Sequence, residues 1–536
     1  MFDTAELGRT TTKKAYKERL TPLRAALLQA QASLRDAGIP VIVLFGGVDG
    51  AGKGDAVNAL NEWMDPRWMK TTAFDQPSQE EEERPEYWRF WRALPPKGHI
   101  SLLLSAWYSQ PLLRRIDGGS DEDFERSLEQ ITSFEQQLAD DGAVILKFWL
   151  HLGKRGQQRR FERLESDPLQ SWRVTERDWE NWRKYDDFIS AGERIITRTS
   201  TGSAPWHIVE GVCARYASLR VGGLLLEAIQ NRLMQAGIES SAETSVAEAE
   251  AYSKAVKIAE PDDAPPLTIL STLDTSLKLK KPEYRKRLAI QQGRINQLQK
   301  RARDQGVSTI LIFEGWDAAG KGGAIRRVNA ALDSRAVQVI PIAAPTDEER
   351  AHHYLWRFWR HLSRAGHVTI FDRSWYGRVL VERVEGFANE REWQRAYAEI
   401  NRFEQQLVDH GIVLIKFWMH ISPEEQLRRF KDREKTAYKK WKLTEDDWRN
   451  RERWDDYEIA VHDMVERTST LAAPWVLVEA NDKPYARIKV LESICDAQQA
   501  KVGMPDSSAI WTHRDADESE GSDDEELEGR TGEMNR

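Results

Sequence analysis

Cysteine is nearly absent. Cys213 and Cys495 are the only two, so no disulfide framework staples this chain, and a reducing compartment is expected. No apolar run approaches the roughly 20 residues that a bilayer-spanning helix needs, which argues against a membrane partner. The opening Met1-Phe2-Asp3-Thr4 has no signal-peptide layout, and the expected location is the cytoplasm. No RRM, zinc-finger or other nucleic-acid module is recognisable, so nucleic acid is not expected as a partner. The body of the chain also lacks a charge imbalance. From Gly503 onward, eleven Asp/Glu face three Lys/Arg, and that net of −8 equals the net charge of the whole chain. This acidic stretch, 503–536, has few apolar residues and is expected to be disordered.

What is plentiful is length and tryptophan. The chain has 536 residues, enough for two or three domains with their own cores, and 21 tryptophans. It is also one unit written twice. Tyr16, Asp49 and Lys53 recur as Tyr284, Asp317 and Lys321, each 268 residues later. Trp88-Arg89-Phe90-Trp91-Arg92 recurs as Trp356-Arg357-Phe358-Trp359-Arg360, and Phe134-Glu135-Gln136-Gln137-Leu138 as Phe403-Glu404-Gln405-Gln406-Leu407. A period this long means duplicated domains, not a solenoid. The expected boundaries are a first repeat over 1–236, a linker over 237–266 rich in Ala, Ser, Glu and Pro, a second repeat over 267–502, and the tail.

Each repeat alternates strand and helix, which predicts a parallel sheet covered on both faces. In the second, a helix is expected over Pro282–Gln305 and strands over Thr309–Phe313, Gln338–Ile342, His367–Phe371, Val413–Met419 and Trp475–Glu479. Thr346 and Glu349 form a capping box for a helix expected to reach about His361, and a long helix is expected over Glu390–Asp409. Ser422, Pro423 and Glu425 start a further charged helix, and a final helix is expected to end near Lys501. The fold class is therefore α/β: two tandem domains, each a parallel sheet flanked by helices.

The first of those strands runs into Glu314-Gly315-Trp316-Asp317-Ala318-Ala319-Gly320-Lys321-Gly322-Gly323, after which a helical pattern begins. Strand, Gly-x-x-x-x-Gly-Lys, then helix is a phosphate-cradling arrangement. Gly315 and Gly320 let the backbone turn around a phosphate, its N–H groups and the helix N-terminus face the anion, and Lys321 supplies a point charge. Gly322 stands where Ser or Thr normally binds Mg²⁺, so Asp317 inside the loop becomes the nearest carboxylate for a metal. Asp372 ends the third strand beside this loop, a usual place for a Mg²⁺ ligand, and Arg373 follows it.

The repeats diverge at these positions. Asp372 and Arg373 become Leu104 and Ser105, Gly323 becomes Asp55, and Asn481-Asp482-Lys483 becomes Val212-Cys213-Ala214. A carboxylate at Asp55 would repel a phosphate, so the second repeat is expected to be the catalyst and the first a degenerate scaffold or regulatory half. From Arg428 to Lys442, eight Lys/Arg face two acids. Such density suits a polyanion: nucleic acid, nucleotide phosphates or a polyphosphate chain. Trp448, Trp454 and Tyr457 could stack on a nucleobase but are expected mainly to pack a lid helix.

These residues resemble a known family, polyphosphate kinase family 2. The loop Glu314–Gly323, including its Gly322, is similar to that family's P-loop. Asp372-Arg373-Ser374-Trp375-Tyr376-Gly377-Arg378 is similar to its second motif, and Lys416-Phe417-Trp418-Met419-His420, Trp441-Lys442 and Ala473-Pro474-Trp475 add to the match. The duplicated layout resembles the two-domain branch, the polyphosphate:AMP phosphotransferases. The resemblance implies two tandem P-loop kinase-like domains, each with a helical lid, and transfer of a phosphoryl group from inorganic polyphosphate to AMP, giving ADP, with Mg²⁺ as cofactor. Asp317 and Asp372 would be the metal ligands, and Asp317, Lys321, Asp372 and Arg373 the catalytic set. Gly315, Gly320, Gly322 and Gly323 would cradle phosphate. Arg378 and Arg383 would neutralise developing charge, while Arg428, Arg429, Arg433 and Lys440 would guide the polyphosphate. His352, His353, His361 and His367 are expected to be structural. An ATP-dependent nucleoside monophosphate kinase and a nucleic-acid-binding P-loop protein stay open as alternatives, as does a homo-oligomer.

Overall fold

A computed structural model of the protein describes residues 2–255, 268–435 and 445–503. The described residues form two compact units, one gathering 2–82, 86–255 and 345–360, the other 83–85, 268–344 and 361–503. Each holds one five-stranded sheet. In the first, β1 is Val41–Gly47, β2 Met69–Ala73, β3 Ile100–Leu104, β4 Val144–His151 and β5 Trp206–Glu210. In the second, β6 is Thr309–Gly315, β7 Val337–Pro341, β8 Val368–Asp372, β9 Val413–His420 and β10 Trp475–Glu479.

The strand orders are β2-β3-β1-β4-β5 and β7-β8-β6-β9-β10, with every pairing parallel. The reason is legible in the strands. Thr309 to Phe313 is a run of five buried residues, suited to a central position with helices on both faces. The chain leaves β6 for one side of the sheet and later returns to its other side at β9. The crevice at the carboxyl ends where that reversal occurs is where open α/β sheets hold ligands. Register brings Phe313 opposite Asp372 and Gly315 opposite Met419, so the P-loop and the Asp372-Arg373 corner emerge side by side.

Lys281–Asp304 carries Pro282 in its first turn and buries Tyr284, Gln291, Ile295, Leu298 and Ala302, a helical stripe, against the final helix Lys483–Val502. Glu390–Asp409 starts at Asn389 with a capping box to Glu392. Among its buried residues is Glu404, paired with Lys416 of β9 at 2.7 Å, both side chains essentially inaccessible. Glu404 also accepts from Trp375 Nε1 and Tyr376 Oη at 3.0 and 2.7 Å, and Lys416 donates to Thr468 O at 2.7 Å. A buried charge pair holds only when its remaining donors and acceptors are satisfied, and here they are. Glu135, Lys147, Trp107, Tyr108 and Thr199 repeat the arrangement in the first unit.

One expectation differs from what is observed. The capping box at Thr346 and Glu349 forms, but the helix it starts covers only Asp347–Arg350, and a second short helix covers Trp356–Trp359. Between them the Leu355 N–H donates to the His353 ring nitrogen at 3.2 Å instead of a helical carbonyl, which interrupts the helix. The last helix of the first repeat runs over Ala214–Ala255 and enters the expected linker, where the sequence over 242–258 is itself compatible with a short helix. Residues 256–267 and the acidic stretch 504–536 lie outside the described residues.

Candidate active site

The P-loop is shaped by two left-handed glycines. Gly315 has φ 145°, and a Cβ there would lie 2.4 Å from the Met419 carbonyl oxygen. Gly320, at φ 110°, caps the helix Lys321–Asn329. Ala318 and Arg373 also have positive φ, at 63° and 65°, strained conformations that concentrate at functional sites. Lys321 Nζ donates to Gly315 O at 2.5 Å and Trp316 O at 3.3 Å, curling over its own loop. Burial pushes its pKa down, and Asp317 pulls it back up.

Asp317 is the hub. Its Oδ1 meets Arg373 Nη2 at 3.2 Å and its Oδ2 accepts from Asn450 Nδ2 at 2.9 Å. Its backbone carbonyl accepts from Gln426 Nε2 at 3.2 Å. Glu314, buried just behind, accepts from Ser374 Oγ at 2.8 Å, and burial raises its pKa. The Asp372 carboxylate has no hydrogen-bond partner among the described residues and faces the same cavity. That cavity measures 690 Å³, and seven Lys/Arg against four Asp line it. Asp317, Lys321, Asp372, Arg373, Gly320, Gly322, Gly323 and Arg433 all border it, with Gly315 directly beneath.

Several residues expected there stand elsewhere. Arg383 is bound to Asp463 at 2.7 Å and Tyr397 Oη at 2.9 Å, its guanidinium 4.2 Å from the Trp393 ring centre. Arg378 pairs with Glu382 at 3.1 Å, and Arg428 pairs with Glu425 and Asp432 on the exposed side of its helix. None of the three lines the cavity. Arg429 does, but its donors are spent on the carbonyls of Ala318, Ala319, Ala480 and Asn481 and on Glu425. It clamps the P-loop to the loop after β10, a different task from guiding a chain. Lys440, with Trp441 and Lys442, lies outside the described residues. Of the Asn481-Asp482-Lys483 triplet, Asn481 accepts from Ser422 N and Asp482 caps the final helix, leaving Lys483 to reach the cavity.

Of the cavity's other cations, Lys483 was singled out in the sequence only through the Asn481-Asp482-Lys483 divergence, and Arg326 and Arg487 were not. The counterparts of Arg326, Lys483 and Arg487 in the first repeat are Asn58, Ala214 and Ser218, so the divergence between repeats did carry that signal. Trp454 stacks on Trp316, ring centres 3.6 Å apart and 9° from parallel, and Trp448 meets Phe430 edge-on, so these rings pack the lid as expected.

The Polyphosphate kinase 2 (PPK2) family matches residues 10–237 and again 278–503. The chain belongs to the polyphosphate kinase 2 family. It is 49% identical over 508 residues to a polyphosphate:AMP phosphotransferase of Pseudomonas aeruginosa, covering 93% of this chain and 99% of that one. A protein of the same description from Acinetobacter johnsonii is 37% identical over 457 residues, 85% of this chain and 90% of the other. A crystal structure described as a polyphosphate kinase 2 from Pseudomonas aeruginosa superposes with a TM-score of 0.82 at 46% identity, covering 94% and 99% of the two chains.

Within this polyphosphate kinase 2 chain the first repeat keeps the loop's frame. Lys53 Nζ donates to Gly47 O at 2.6 Å, and Asp49 accepts from Asn181 at 2.8 Å, as Asp317 does from Asn450. The anion cradle is altered. Asp55 stands in the first turn of the helix Lys53–Trp63, accepting from Arg160 at 2.7 Å and Arg173 at 3.0 Å. The carboxylate thus neutralises two arginines beside the loop.

Proposed function

We propose that this chain transfers a phosphoryl group from inorganic polyphosphate to AMP, forming ADP, and that residues 267–502 perform the reaction while residues 1–236 do not. The observation that carries the reading is the second repeat's cavity, where cations outnumber acids around an intact P-loop. Donor and acceptor are both polyanions, so bringing them into line requires that their repulsion be screened. Lys321 and the loop N–H groups hold the phosphates exchanged. Arg373, tethered to Asp317, is placed to meet charge developing on the transferred group. Arg326, Arg433, Lys483 and Arg487 form the wall along which a polyphosphate chain would lie. Among the described residues no cluster of three or more His, Cys, Asp or Glu forms a metal cage. That fits the donor set Mg²⁺ takes in phosphoryl transfer, one or two carboxylates with phosphate oxygens and water. Asp372 and Asp317 would hold it, and the ion would supply charge neutralisation and alignment of the phosphates.

No helix of the described residues is long and apolar enough to cross a membrane, and both thiols are free. We place the reaction in the cytoplasm, without nucleic acid. The test is phosphotransfer to AMP from long-chain polyphosphate or from ATP, with Lys321→Ala and Lys53→Ala beside the wild type. ADP formed from polyphosphate, lost in Lys321→Ala and largely kept in Lys53→Ala, is the expected result. Activity with ATP alone would make the chain an ordinary nucleotide kinase, and loss in both variants would end the division of labour.

A further inference from the structure

The first repeat contains a second cavity of different chemistry. It measures 270 Å³, near the roughly 300 Å³ lower bound of small-molecule sites. Its origin can be read by comparing repeats. Where the second has Glu314, hydrogen-bonded to Ser374 and flanked by Arg373, the first has Gly46, Ala106 and Ser105. A buried acid, its hydroxyl partner and a guanidinium are all exchanged for small residues at one place, the carboxyl end of the central strand. The space is faced by rings. A Cβ on Gly46 would lie 3.4 Å from Trp206 and 3.6 Å from Trp149. Phe45, Phe90, Tyr108 and Phe188 line the same cavity, where the P-loop cavity of the second repeat has one aromatic residue, Trp316.

Charge differs as much as shape. Three Lys/Arg and three Asp line this cavity, so it has no net attraction for a polyanion, and Arg160 and Arg173 near the loop are paired with Asp55. At the mouth the Gln110 side-chain amide donates to that of Gln76 at 3.2 Å, at positions that are Arg378 and Ala344 in the second repeat. Primary amides pair with the hydrogen-bonding edges of nucleobases, and flat rings receive nucleobase faces.

We propose that the first repeat binds a purine nucleoside in this cavity, with the base among the rings and its edge toward the Gln76–Gln110 amides. The proposal does not rest on the phosphotransfer reading, because it concerns an uncharged ligand in the other repeat. Adenosine is the probe, titrated into the full chain by calorimetry and by tryptophan fluorescence, with cytidine as the small-ring comparison. One adenosine per chain with a Kd below about 1 mM is expected, and cytidine at least tenfold weaker. Gly46→Glu combined with Ala106→Ser, which rebuilds the second repeat's buried acid, should weaken adenosine at least tenfold. Leu113→Trp, at the half-buried mouth, should do the same and decides the matter if the first variant does not fold. Lys321→Ala should leave adenosine binding intact. Absence of binding, equal binding of cytidine, undiminished binding in Leu113→Trp, or loss in Lys321→Ala would each overturn the proposal.

Discussion

Replacing Arg429 by lysine separates two roles for a buried cation. Five acceptors converge on this guanidinium: the carbonyls of Ala318 and Ala319 in the P-loop, those of Ala480 and Asn481 after β10, and Glu425. Its side chain is 5% exposed. An ammonium has three donors from one point and cannot span both loops, so at least two buried carbonyls lose their partner. Each orphaned acceptor costs about 1–3 kcal/mol, which puts Arg429→Lys near ~3 kcal/mol of lost stability. For a domain of this size that is a fall in Tm of roughly 6–12 °C. Differential scanning calorimetry reads the transition, and steady-state phosphotransfer with varied polyphosphate reads the site. A clamp predicts a lower Tm and a lower kcat, because the P-loop backbone shifts. An unchanged Tm with only a raised KM for polyphosphate would refute the clamp and return Arg429 to the role of chain guide.

Asp372→Asn keeps the shape of the β8 corner but removes its charge, and kcat should fall about a hundredfold or more with little change in Tm, measured by the same assay at saturating Mg²⁺. Lys416→Met leaves Glu404 buried without its partner and should cost about 3–5 kcal/mol in urea unfolding, although Lys416 does not line the cavity. His420 accepts from Trp316 Nε1 at 3.2 Å, and burial lowers its pKa to about 4. Its neutral form is favoured in the fold, so the unfolded chain binds the extra proton between pH 6.5 and 4. Stability from this site is complete above pH 6.5 and lost as pH falls through that window, by up to about 3 kcal/mol. Stability measured from pH 7 to 5 should therefore fall less steeply in His420→Asn than in wild type.

The features legible in the sequence were those set by local pattern. The P-loop announces itself through the spacing of Gly315, Gly320 and Lys321, and the sheet through five short apolar runs between helical stretches. Asp372 was legible because it ends a strand whose neighbour had to be the P-loop strand. Arg383 was not, since its partner Asp463 lies 80 residues away and only folding brings the two together. Arg428 and Arg429 adjoin in sequence, yet one points to solvent and the other into the loop, a difference set by helix phase and by the carbonyls that wait at Ala318 and Asn481. Lys416 belongs to a stretch that resembles the family, but its pairing was not legible, because nothing local says that Glu404 will meet it. Arg326, Lys483 and Arg487 were visible only as positions where the repeats disagree.

Asp55 makes the first repeat its own ligand. The carboxylate is covalently part of the chain, so its hold on Arg160 and Arg173 does not depend on any concentration in solution. The second repeat has Gly323 at that position, and seven Lys/Arg against four Asp line its cavity, so an anion supplied from outside adds stability there by mass action. One half of the chain thus carries its anion with it, while the charge balance of the other depends on what binds. In calorimetry with rising polyphosphate, the unfolding of the second half should move upward and that of the first should stay where it is.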